Sequence, residues 1–156
     1  DIRKAKEYLN LAKEQLKERK QQFDEQIRIG IMIEIPAIAL IADLAAEEVD
    51  FASIGSNDLT QYLSAADRMN PEVGAYYKRD STAMLRLLGF VFREFSKREK
   101  EISVCGEMAG NPETAQLLVG LGARKLSMSS GNIAGVKAKL AECTLQELTA
   151  LAEKKL

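Results

Sequence analysis

The chain has 156 residues, 46% of them hydrophobic and 29% charged, with a net charge of −1 and no histidine. That length supports one globular domain with a full core, and the near-neutral charge gives no sequence-wide pull toward nucleic acid or an anionic membrane. The missing histidine removes imidazole nucleophiles, imidazole acid–base chemistry and histidine metal ligation from this chain.

No apolar run approaches the roughly 20 residues needed to span a bilayer, and no secretory leader pattern opens the chain. The two cysteines, Cys105 and Cys143, lack CxxC spacing and make no disulfide framework. A reducing, cytoplasmic setting follows. The sequence at Asp1 is already helical in pattern, which suggests a fragment or a processed chain.

In chain order, residues 1–22 predict an amphipathic surface helix, with Ile2, Ala5, Leu9, Ala12 and Leu16 at three- and four-residue spacings. "RIGIMIEIP", residues 28–36, is continuously apolar and predicts a strand buried on both faces. Pro36 opens a helix over "AIALIADLAAEE". "VDFASIG" is the second strand, after which Asn57 or Asp58 can cap a helical turn. "AADRMNPEVGAYYKRD" reads as a loop with a short helix at Pro71. Residues 81–98 form a helix with Met84, Leu88, Val91 and Phe95 on one face. "EISVC" is the third strand. Asn111 caps a helix with Pro112 at its first position. "RKLSMS" is the fourth strand, followed by a helix from about Ile133 to Cys143. Thr144 and Glu147 form a capping box for the last helix.

Strands alternating with helices predict an α/β fold with parallel pairing and right-handed crossovers. No repeat or linker divides the chain, so residues 1–156 read as a single unit. Four βα units fit either a small open sheet or half of a (βα)8 barrel, which typically needs about 250 residues. In both architectures ligands collect at the carboxyl ends of the strands.

Each predicted strand is apolar along its length and polar at that end. The first ends in Glu34, the second runs into Ser56, Asn57 and Asp58, the third ends in Cys105, and the fourth in Ser129, Ser130 and Gly131. If the strands are neighbours, Glu34 and Asp58 converge. Either a hard divalent cation such as Mg²⁺ lies between them, or Glu34 pairs with a lysine or arginine and Asp58 caps a helix. Asn57 is an amide donor for an anionic oxygen, or a turn asparagine. Arg68 follows ten residues after Asp58 and is either a bidentate anion ligand or an ordinary loop arginine. Cys105 is either an inert buried thiol or, given the close backbone approach that Gly106 permits, a nucleophile or proton donor. Cys143 reads as structural.

"GIMIEIPA", "FASIGSNDLTQYLSAADRMNP", "CGEMAG" and "LSMS" occur in that order and resemble successive motifs of the phosphoenolpyruvate-utilising enzymes. The wording is most similar to the phosphoenolpyruvate–protein phosphotransferases, the enzyme I group of the bacterial sugar phosphotransferase system. The resemblance covers nearly the whole chain. It implies the second half of a (βα)8 barrel, with an N-terminal helix and an extra C-terminal helix. It implies that Glu34 and Asp58 bind Mg²⁺, that Asn57, Asp58 and Arg68 bind phosphoenolpyruvate, and that Cys105 protonates the enolate carbon to give pyruvate. A thiol suits that role because its ordinary pKa of ~8.5 keeps it mostly protonated near neutral pH.

The same resemblance implies partners outside the chain: a first half-barrel with further arginines, and a separate domain carrying the phospho-accepting histidine. It also implies homodimerisation or pairing with the missing half-barrel. The near-neutral charge and the lack of a bilayer-length apolar run predict neither nucleic-acid binding nor membrane insertion. "GSND" departs from the family's usual "GTND" but keeps the hydroxyl.

Overall fold

Three of the four expected strands form. The computed structural model describes residues 1–156. Its regular elements are α1 (Ile2–Glu18), β1 (Gly30–Ile33), α2 (Pro36–Leu40), α3 (Ala42–Glu48), β2 (Phe51–Gly55), α4 (Ser56–Ser64), α5 (Thr82–Lys97), β3 (Glu101–Cys105), α6 (Glu107–Gly110), α7 (Pro112–Leu121), α8 (Ser130–Ala141) and α9 (Leu145–Glu153), with a 3₁₀ helix at Pro71–Tyr76. The sheet is parallel throughout, in the order β1-β2-β3. The chain is therefore α/β, as its alternating pattern requires.

The segment expected as a fourth strand is a single parallel bridge between Leu126 and Val104. Val104 N–H donates to the Lys125 carbonyl at 2.9 Å and Ser127 N–H donates to the Val104 carbonyl at 2.8 Å. Two physical reasons limit it to that. "RKLSMS" contains no β-branched or aromatic residue, and no strand lies on its far side to continue the ladder.

The helices form where their signals stand. Pro36 is the first residue of α2, the Asn111 side chain accepts from Thr114 N–H at the start of α7, and the Thr144–Glu147 capping box opens α9. The helix expected over 37–48 is broken at Ile41, whose backbone leaves the helical region and separates α2 from α3.

One face of the sheet packs on the helices. Ile33, Ala52, Ile54 and Val104 project into a core with Met84, Leu85, Leu88, Val91 and Phe95 of α5. Burying each of these side chains other than Ala52 contributes roughly 1.5–3 kcal/mol. The opposite face is open. Met32, Ser53 and Ser103 stand in one register row there, and Met32 is 48% exposed. β1 is thus buried on one face and not both, because no layer of this chain covers the other. Helix α1 contributes no buried residue. Ile2 touches the core, and Arg3 and Lys6 hold α1 through ion pairs to Glu48 on α3. No helix is long and apolar enough to cross a membrane.

Candidate active site at the carboxyl ends of the strands

Parallel pairing in register aligns the tips of the three strands. Ile33 stands beside Ile54 and Ile54 beside Val104, with Gly55 beside Cys105. The residue after each tip therefore reaches the same edge. Glu34 leaves β1 there and lies across Gly55, its Oε2 3.1 Å from where a Cβ on Gly55 would be. A side chain at position 55 would displace the carboxylate. Ser56, Asn57 and Asp58 form the first turn of α4 directly after β2, and Cys105 closes β3.

Neither Asn57 nor Asp58 caps α4. Gly55 holds the cap position, with no side-chain cap bond. Both side chains are committed elsewhere. Asn57 Oδ1 accepts from Glu107 N–H at 3.1 Å, and its NH₂ group makes no bond within the chain. Asp58 Oδ1 lies 3.4 Å from the Arg68 guanidinium. Arg68 thus does turn back to the strand ends from its loop. Glu34 makes no ion pair.

Cys105 is half-buried, with its thiol 3.4 Å from the Ile54 carbonyl. Gly106 follows with φ of +95°, a conformation that favours glycine. The chain then turns into α6, so the thiol sits at the rim of a cleft of about 370 Å³. Asn57, Cys105, Glu107, Ser127, Ser129 and Asn132 are among its lining residues. The cleft brings together Asn57 and Cys105, while Glu34, Asp58 and Arg68 do not line it. Ser130 and Gly131, read as the end of a fourth strand, begin α8. Cys143 lies apart, beside the Gln116 amide at 3.3 Å.

The family's sequence profile, described as the phosphoenolpyruvate-binding domain of phosphoenolpyruvate-utilising enzymes, matches residues 1–145. The chain belongs to the phosphoenolpyruvate-utilising enzyme family. It is 44% identical over 142 residues to multiphosphoryl transfer protein 2 of Escherichia coli K12, covering 91% of this chain and 17% of that protein. It is 41% identical over 154 residues to the phosphoenolpyruvate-protein phosphotransferase of Bacillus subtilis, covering 99% of this chain and 27% of that one. The Listeria monocytogenes phosphotransferase is 42% identical over all 156 residues, again 27% of its own length. The chain therefore spans about a quarter of the phosphotransferases it matches.

As a member of this family, the chain presents donors that suit a hard cation. Glu34 and Asp58 carry carboxylate oxygens, and no cluster of three or more acidic, cysteine or histidine side chains is placed to enclose a metal. A hard divalent cation commonly takes one or two carboxylates and leaves its other positions to water. The donor set does not fit a closed structural zinc site.

Two contributors at this edge escape the sequence reading. The Tyr77 hydroxyl donates to the Asn57 carbonyl at 3.0 Å, and burial pushes its pKa above the ordinary tyrosine value, keeping it a donor. Arg79 pairs with Glu107 and lies over the Tyr77 ring at 5.8 Å. Their signal was the run "YYKRD" at the end of a loop already marked by Arg68. A larger cleft, about 630 Å³, lies on the open sheet face, lined by Arg28, Glu101 and Lys125 among others. Its one carboxylate, Glu101, is bonded by Lys125 and by Arg28, and those bonds hold its carboxyl below the usual range. The cleft presents no convergent acid–base pair.

Proposed function

We propose that residues 1–156 form one unit, the second half of a (βα)8 barrel, in an enzyme that moves the phosphoryl group of phosphoenolpyruvate to a histidine on another domain. One observation carries this reading: Glu34, Asn57, Asp58 and Cys105 all stand at the carboxyl ends of parallel strands or in the first turn after them. That is where (βα)8 enzymes place their chemistry. The relatives named phosphoenolpyruvate-protein phosphotransferase support the reaction class. A cytoplasmic location accords with both.

Glu34 and Asp58 would hold Mg²⁺, which when bound supplies positive charge against the substrate's carboxylate and phosphoryl oxygens. The free NH₂ of Asn57 and the guanidinium of Arg68 bind the phosphoryl oxygens and orient them. The bond from the bridging oxygen to phosphorus breaks as phosphorus bonds to the acceptor imidazole nitrogen. The electron pair left behind is the enolate of pyruvate. Cys105 delivers its thiol proton to the enolate's terminal carbon, giving pyruvate, and the thiolate regains a proton from water. The chain has no histidine, so the acceptor belongs to another segment or protein. Alone, the chain holds the metal site and proton donor but lacks the arginines of the first half-barrel, and turnover is absent or nearly so.

A second reading rests on the open sheet face. Parallel sheets are normally covered on both sides, and here Met32 is 48% exposed on the uncovered side. The chain on this reading is an assembly module that dimerises or docks a half-barrel. Titration calorimetry separates the two. The catalytic reading expects heat from phosphoenolpyruvate only when Mg²⁺ is present, abolished by a chelator. No heat under either condition, with a stable dimer by light scattering, leaves only the assembly module.

A further inference from the structure

We infer that Ser56 is a positioning residue for the Cys105 thiol. This rests on the reading of Cys105 as the proton donor, and it adds the device that aims the donor. The Ser56 side chain is fully buried, yet it is polar, so its hydroxyl must be bonded. It donates to the Cys105 carbonyl at 2.6 Å. The thiol of the same cysteine points to the Ile54 carbonyl at 3.4 Å. Cys105 is therefore gripped at its carbonyl and at its sulfur by residues 54 and 56, which flank Gly55, its partner in the strand register. With both ends tied to one short segment, the Cα–Cβ axis of Cys105 has little freedom to turn.

Two further contacts make the strap rigid. A Cβ on Gly106 would lie 2.5 Å from the Ser56 hydroxyl oxygen, so only a bare backbone passes over the serine. One residue on, Glu107 N–H donates to Asn57 Oδ1 at 3.1 Å. Residues 56 and 57 thus carry one bond each to the 105–107 turn, to Cys105 and to Glu107. The turn that presents Asn57 and Asp58 and the turn that presents the thiol move as one body. Proton delivery to carbon depends on the donor's distance and direction, so a hydroxyl that fixes this relation acts through Cys105 without touching the substrate. Threonine keeps the same hydroxyl, and alanine and glycine do not.

The test uses the 156-residue chain and its two cysteines. Each variant is alkylated with iodoacetamide at one fixed pH, and peptide mass spectrometry follows Cys105 and Cys143 separately. In Ser56→Ala, Cys105 should react several-fold faster, on the scale of one lost hydrogen bond, with Cys143 unchanged. Ser56→Thr should restore the native Cys105 rate. Ser56→Gly also removes the hydroxyl and serves if the alanine variant does not fold. A native Cys105 rate without the hydroxyl overturns the proposal. So does acceleration of both cysteines together, which marks general loosening of the fold. The proton-donor reading stands or falls elsewhere, on pyruvate release by Cys105→Ala. Failure of one result therefore does not imitate failure of the other.

Discussion

Replacing Cys105 with alanine is expected to lower pyruvate release by roughly 10²–10⁴-fold, the usual contribution of a positioned general acid, while phosphoryl transfer to the acceptor continues. The variant is made in a phosphotransferase that contains this segment and turns over. Pyruvate and phosphorylated acceptor are then measured in the same reaction. The cleft around the thiol holds serines, asparagines and backbone, with no histidine to replace it. Its single carboxylate, Glu107, is paired with Arg79. An ordinary serine hydroxyl is far too weak an acid to protonate carbon at neutral pH. Without the thiol the enolate waits for water, and the two products fall out of step. Equal rates of both in the variant would remove Cys105 from the mechanism.

Asp58→Asn should weaken Mg²⁺ binding at least about tenfold, or ~1.4 kcal/mol, with little effect on folding. The substitution keeps the shape of the side chain and removes one of the two carboxylates proposed to hold the ion. Its structural cost is small because Asp58 caps nothing. Its pair with Arg68 is also partly exposed, 38% on each side, and such pairs contribute about 0–1 kcal/mol. Glu34→Gln should behave similarly, since Glu34 holds no partner in the chain. Calorimetry with Mg²⁺, beside a thermal melt, checks both. Mn²⁺ offers a second readout, because its paramagnetism broadens resonances near residues 34 and 58 in the native chain and should not do so in either variant. Unchanged affinity in both variants would place the metal elsewhere.

The places of the polar residues at the strand ends were legible in the sequence, and the number of strands was not. Glu34, Asn57, Asp58 and Cys105 were legible because each interrupts or ends an apolar run, and a polar residue at a strand tip is conspicuous. Caps at Asn111 and Thr144 were legible because their geometry is local. What failed was non-local. "RKLSMS" has the length of a strand, but a strand exists only where a neighbour accepts it, and Val104 provides a single bridge. "GIMI" looks equally apolar on both faces, and nothing in those residues says that the layer over Met32 lies outside this chain. Tyr77 and Arg79 were lost in a loop because their value depends on Asn57 and Glu107, which lie 20 and 28 residues away. Ser56 was visible as a hydroxyl beside Asn57, but its hold on Cys105 crosses 49 residues.

The most direct test of the central claim is a crystal structure of this chain with Mg²⁺ and phosphoenolpyruvate bound. The account predicts the ion about 2.0–2.1 Å from carboxylate oxygens of both Glu34 and Asp58. It also predicts the phosphoryl group at Asn57 and Arg68, and the Cys105 sulfur facing the substrate's terminal carbon. Phosphoenolpyruvate seated instead in the cleft beside Arg28 and Lys125, or an ion bound by neither carboxylate, would contradict it.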